Sequence, residues 1–185
     1  MKEFKSVFLA TILLTAPLQA NSAEQEPANL LENPGFEERK ANQNAVAWSA
    51  KRHAGSTAYK FDLDTVVFFK GKQSYRIEQH ADQDYGMVKQ KVMLPNKKAE
   101  RFTFSAMLKT QGIVDRIGWR LTVNCLAKSG RVLEQFQSEP LHGTNDWQKI
   151  TLEEDLPKGT ARIDVGIILQ SIGTGWVDEA YLAVK

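Results

Sequence analysis

The closing stretch Gly173 to Lys185, "GTGWVDEAYLAVK", decides how the chain is read. As a β-strand it sets Trp176, Asp178, Ala180, Leu182 and Val184 on one face, and Val177, Glu179, Tyr181 and Ala183 on the other. The first set reads as a core face, which puts Asp178 in apolar company. A carboxylate withdrawn from water is costly unless a cation or several N–H donors meet it. The rest of the sequence must supply one of these.

Working back from that strand, the same two-residue alternation recurs between turn residues. "SYRIEQH" begins at Ser74, "GMVKQKVML" at Gly86, "RFTFSAMLKT" at Arg101 and "IGWRLTVNCLA" at Ile117; "RVLEQFQS" follows at Arg131, "WQKITLE" at Trp147 and "ARIDVGIILQ" at Ala161. Each has an apolar face and a mixed face, and helical periodicity is absent over any long stretch. The pattern predicts an all-β sandwich or jelly roll of two antiparallel sheets. Neither a repeat nor a low-complexity tract interrupts it.

The chain starts differently. Lys2 and Lys5 precede the apolar run "VFLATILLTAPL", and small residues follow, so residues 1–23 read as a signal peptide cleaved after Ala20 or Ala23. The run is too short for a comfortable membrane span, and no later stretch is long enough, so membrane insertion is not expected. The expected product is secreted or periplasmic. Losing Lys2, Lys5 and Glu3 leaves 22 basic and 21 acidic residues, a net charge of +1, which gives no global case for nucleic acid. Residues 24–29 ("EQEPAN") suit a flexible lead-in, and 30–185 one folded domain. A single cysteine, Cys125, rules out an intrachain disulfide.

Several segments taken together resemble the CenC-like carbohydrate-binding modules of families four, nine and twenty-two, over about Leu30 to Leu182. "NLLENPGFEE" looks like the Asn, then Gly-Phe-Glu, opening of that family; "FKGKQSYRIE" resembles its Gly-x-x-Ser turn; "VKQKVMLP" its Gln-x-Val strand. "FTFSAMLKT", "NDWQKIT" and "GWVDEAYL" are similar to later family strands, the last carrying the closing aspartate. The resemblance implies a galactose-binding-domain-like jelly roll, binding without catalysis, and a structural Ca²⁺ away from the sugar. It implies as calcium ligands the carbonyl of Gly35, the carboxylate of Glu37, carbonyls at Lys70 and Gln73, and the carboxylate of Asp178. Calcium suits such an oxygen set. From the residues alone the other account stays open: Asp178 accepts backbone N–H bonds at a turn, and Glu37 is a surface residue.

Sugar recognition requires flat rings with polar groups beside them. Candidates are Tyr85 first, at the end of the "HADQDYG" loop, then Trp48, Tyr59 and Trp119, with Arg120 and Gln135 as polar partners. Trp119 also fits a core position by its alternation, as do Trp147 and Trp176. Arg76 with Glu78, and Asp164 with Gln170, are further polar candidates for one groove. The ligand expected is a polysaccharide or oligosaccharide; the alternative is a protein partner for an adhesion or matrix module. His53, His80 and His142 are too scattered for a metal cluster or a nucleophile–base pair, so no enzyme is expected.

Overall fold

Each half-apolar strand needs a second layer to bury its apolar face, and the computed structural model supplies it as two stacked sheets. It describes residues 27–41, 44–53, 57–94, 99–114 and 117–185; the expected signal peptide, residues 1–23, lies outside the described residues. The strands are β1 (Ser49–Arg52), β2 (Tyr59–Asp64), β3 (Ser74–Gln79), β4 (Gly86–Met93), β5 (Arg101–Ile113), β6 (Gly118–Leu126), β7 (Val132–Gln137), β8 (Gly143–Asp155), β9 (Arg162–Gln170) and β10 (Gly173–Val184). One five-stranded sheet runs β1-β4-β9-β6-β7 and the other β2-β3-β10-β5-β8, with every paired neighbour antiparallel. This is the predicted all-β sandwich. No helix among the described residues is long and apolar enough to cross a membrane.

The inner faces meet as the alternation requires. Val88 and Val92 of β4, Trp119, Leu121, Val123 and Cys125 of β6, and Ile163, Val165, Ile167 and Leu169 of β9 face Ile77 of β3 and Phe102, Phe104 and Leu108 of β5. Burial pushes the Cys125 thiol up to about 11, so it is packing material and not a nucleophile. Tyr59, at the start of β2, lies across the end of the sandwich. Its ring occupies the space a side chain at Gly86 would need, since a Cβ there would sit 2.4 Å from the ring. Its hydroxyl donates to the carbonyls of Gln83 and Leu169, both at 3.2 Å.

The closing strand departs from simple alternation. β10 pairs Asp178 with Met107 but Tyr181 with Ser105, so one extra residue is inserted, and Glu179 sits at φ 46°. A bulge of this kind reverses the side chains beyond it. Val177 points into the core before the bulge and Ala180 and Leu182 do so after it, while Trp176 and Asp178 lie on the outward side, paired with Lys109 and Met107. The single core face read from the sequence is therefore two half-faces.

The bulge also holds the start of the chain. The Ala180 N–H donates to the Pro34 carbonyl at 2.9 Å and the Leu30 N–H to the Leu182 carbonyl at 2.8 Å. Asn29 donates to the Ala180 carbonyl and accepts from the Leu182 N–H, at 2.9 and 3.0 Å. Tyr181 donates to the Pro27 carbonyl at 2.7 Å. Hydrogen bonds to β10 thus hold residues 27–29 of the expected lead-in.

Candidate binding face and terminal clasp

Around Asp178 the structure brings together residues from three distant parts of the chain. The segment Asn33 to Glu37 turns tightly, with Phe36 at φ 59° and fully buried against Trp48 and Tyr75. Asn33 secures the turn: its carbonyl accepts from the Phe36 N–H and the Trp48 indole, and its side chain bonds both the N–H and the carbonyl of Glu38. The loop between β2 and β3 then folds over the outward side of β10. Asp178 Oδ2 accepts from the backbone N–H groups of Phe69 and Lys70, both at 3.0 Å, and Oδ1 from that of Glu179 at 2.8 Å. Glu37 Oε1 accepts from the N–H groups of Lys72 and Gln73, at 2.8 and 3.3 Å. The Gln73 amide donates to the Phe36 carbonyl. Asp178 is completely buried, and burial raises its carboxyl pKa although the Lys70, Glu179 and Phe69 amides pull it down.

All five residues of the expected calcium set thus converge, with the two carboxylates holding amide N–H groups. Among the described residues, no group of three or more His, Cys, Asp or Glu side chains is arranged to hold a metal. A site here would instead mix carboxylates with main-chain carbonyls. Gly35 leaves a bare cradle for it: a Cβ there would lie 3.1 Å from Glu179 Oε1, and 3.7 Å from both Asp178 Oδ1 and Glu37 Cγ. Asp178 Oδ1 has one donor, so a lone pair remains for a cation. The donor chemistry fits calcium.

The sugar candidates fare unequally. Trp48, Tyr59 and Trp119 are corrections: at 2, 3 and 0 % exposure they are core, and none offers a ring face to a ligand. Trp48 packs on Phe36, Tyr59 closes the sandwich end, and the Trp119 indole donates to the Trp176 carbonyl at 3.3 Å. Arg76 and Glu78 face outward from the second sheet, opposite Asp164 and Gln170 of the first, so the polar candidates do not form one groove.

Tyr85, Arg120 and Gln135 do share a surface. Half-buried Tyr85 lines an open depression of about 630 Å³ with Gln83, Asp84, Ile117 and Gln170. Gln79 supports the loop from below through its side-chain amide, which donates to the carbonyls of Ala81 and Gln83 at 3.0 and 2.9 Å. His53 flanks the tyrosine ring at 5.7 Å and contacts Asp84 at 3.0 Å. Beside the depression Arg120 donates to Gln170 Oε1 at 2.8 Å. The outward face of the first sheet continues from there, with Gln135 opposite Asn124 and Gln137 opposite Thr122.

One aromatic escaped its sequence reading. Trp147, which by alternation fits a core position, is half-exposed on the outward face of the second sheet, 6.0 Å from the ring of Phe69. The signal was available: Trp147 shares its alternation with Lys149 and Thr151, which are both exposed.

No family model matches the chain. It is 25 % identical over 132 residues to the uncharacterised HTH-type transcriptional regulator YbfP of Bacillus subtilis, a match covering 68 % of this chain and 44 % of the regulator. The chain thus spans less than half the length of that relative. Among solved structures it is similar to the CBM22-1 xylan-binding domain of Paenibacillus barcinonensis Xyn10C, with 16 % identity and a TM-score of 0.57 over 85 % of this chain and 95 % of that one. TmCBM61, solved with β-1,4-galactotriose, gives 16 % identity and 0.57 over 85 and 99 %. The enzymatically active domain of tailspike protein 4 of bacteriophage CBA120 gives 12 % and 0.68, over 85 % of this chain and 21 % of the tailspike. The chain has the galactose-binding-like jelly-roll fold that carbohydrate-binding modules of families 4, 16, 22 and 61 share.

Proposed function

We propose that this chain is an exported, non-catalytic saccharide-binding module whose site is the Tyr85 depression. The observation carrying this reading is an aromatic ring beside polar side chains in an open hollow at the ends of the central strands of the first sheet. A half-exposed ring can stack on the apolar face of a sugar, while Gln83, Asp84 and Gln170 meet its hydroxyls. The fold of the neighbouring carbohydrate-binding modules supports it. Affinity electrophoresis of the purified chain in soluble polysaccharides, preceded by a glycan array, tests it. Tyr85→Ala is expected to weaken binding by roughly tenfold, a stacking contribution of about 1–1.5 kcal/mol, without shifting the melting temperature. A chain that no glycan retards loses this reading.

One observation favours a second reading, a protein-contact module. Val66, Phe68 and Phe69 are 85, 38 and 47 % exposed on the loop over the second sheet, next to Trp147. Retention of a defined partner that Phe69→Ser abolishes, with no glycan bound, would favour it.

The reading includes a structural calcium in the terminal clasp, held by Asp178, Glu37 and carbonyls near Gly35, Lys70 and Gln73. It would supply charge that lets carboxylates from both ends of the domain sit together. A chelator is then expected to lower the melting temperature in wild type and to leave Asp178→Asn unchanged. Export rests on residues 1–23, and N-terminal sequencing of the protein recovered outside the cytoplasm should begin at Asn21 or Glu24.

A further inference from the structure

Tyr85 stands at one end of a row. Outward-facing residues of β4 continue through Met87, Lys89 and Lys91, and the strands on either side add Lys51 from β1 and Arg162 from β9. From Tyr85 to Lys91 the row runs about 20 Å at the rise of a strand. Between these cations the face holds one carboxylate, Asp164, 8 % exposed and taken by Arg162 Nε at 2.7 Å. Lys51, Lys89 and Lys91 make no salt bridge to a described carboxylate. The domain as a whole is nearly neutral, so this is a local excess of positive charge.

The crowding has an electrostatic trace. Burial depresses the Lys89 ammonium pKa; Asp164 opposes that, while Lys51, Lys91 and Arg162 add to it by repulsion. Like charges held together on a rigid sheet raise the free energy of the unbound face, and an anion relieves it. The neighbouring positions on β6 and β7 are uncharged and polar, Thr122, Asn124, Gln135 and Gln137, which suits hydroxyl groups.

We propose that the outward face of the first sheet binds a carboxylate-bearing polysaccharide, with Tyr85 stacking on one sugar and Lys51, Lys89, Lys91 and Arg162 meeting the carboxylates of the following ones. This rests on the reading of the Tyr85 depression as a sugar site and names the class of sugar. A single-stranded nucleic acid fits less well, because bases require successive aromatic platforms and this row has one, at its end. A five-stranded sheet face also does not enter a duplex groove, which admits a helix or a two-stranded ribbon.

The probes are a soluble oligogalacturonate, its fully methyl-esterified form, and a single-stranded oligonucleotide of matched charge, titrated calorimetrically against wild type, Tyr85→Ala and Lys89→Gln/Lys91→Gln. Expected are tightest binding of the free acid, loss on esterification, and a drop of about tenfold in the lysine variant with an unchanged melt. Added salt should weaken binding less in that variant than in wild type. Equal binding of ester and acid, untouched by the lysine changes, overturns the proposal but leaves the sugar site standing. No binding of either saccharide overturns the proposal, and the sugar site falls with it only where no glycan of any class retards the chain. Equal uptake of oligonucleotide and oligogalacturonate, indifferent to Tyr85→Ala, makes the face a general polyanion surface and overturns the proposal too.

Discussion

The two outward faces of the sandwich are built from the same kind of strand and end in opposite conditions. Over the second sheet, the loop of residues 65–73 lies on β10, and the outward side chains Trp176 and Asp178 are 5 and 0 % exposed. Over the first sheet nothing described is laid across the row, and Lys51 and Lys91 stand in solvent. The covered face uses its carboxylates to hold backbone N–H groups and fastens the chain termini. The open face holds cations with few acids. Polar residues facing outward from a sheet are thus two populations: one serves stability and the other is available to a ligand.

That contrast breaks most visibly at Asp178. Asp178→Ala strips three backbone N–H groups of their acceptor in a buried place. The loss is expected to be about 3–5 kcal/mol, because each buried unsatisfied donor costs roughly 1–3 kcal/mol and relaxation recovers part. Chemical denaturation reads it, along with a fall in melting temperature on the order of 10 °C. Saccharide affinity of the folded fraction should stay unchanged; a parallel loss of affinity would mean the faces are coupled.

Tyr59→Phe tests the seam between the faces and is expected to cost less, about 1–2 kcal/mol, for a hydroxyl shared between the carbonyls of Gln83 and Leu169. Burial pushes this phenol's pKa up, with Asp84 and Asp82 adding to the effect, which favours the protonated, donating form. Since Gln83 lines the depression, saccharide binding should weaken a few-fold although residue 59 touches no ligand. Retained affinity with lowered stability would confine Tyr59 to the core.

The sequence was most legible where a strand alternates and each neighbour is itself regular. β3, β4, β6, β7 and β9 lie within a residue or two of their alternating stretches. β1 and β2 were missed, because Ser49–Arg52 is exposed throughout and Tyr59–Asp64 runs straight into an apolar loop. The bulge in β10 was invisible for a different reason. It needs a non-glycine residue at positive φ, and Glu179 gives no local sign of that. The five clasp residues were placed together by family likeness and not by pattern, since main-chain acceptors leave no mark in a sequence. The aromatics went wrong because a tryptophan at a strand position reads alike inside or outside until the register is known. Tyr85 stays half-exposed because a loop of acidic and amide residues does not fully bury its ring.

The smallest effect belongs to Asp64, at the edge of the covered face. Burial alone would raise its carboxyl, but the Trp176 indole at 2.9 Å, the Val66 and Val67 N–H groups at 2.9 and 3.1 Å, and Arg76 outweigh it, so its pKa lies below the ordinary 3.8. A folded-state pKa below the unfolded one contributes stability that is present above 3.8 and is lost as pH falls through the lowered value. Asp64→Asn keeps one acceptor but must turn an NH₂ group toward the indole or toward the amides, at a cost of about 1 kcal/mol near neutral pH. Urea unfolding at neutral pH should resolve that difference, and repeated below the ordinary carboxylate value it should shrink as wild-type Asp64 takes up its own proton. A difference that stays constant with pH would assign the effect to packing of Trp176. The covered face would then be held by shape alone at that edge, and its contrast with the charge-crowded open face would be sharper.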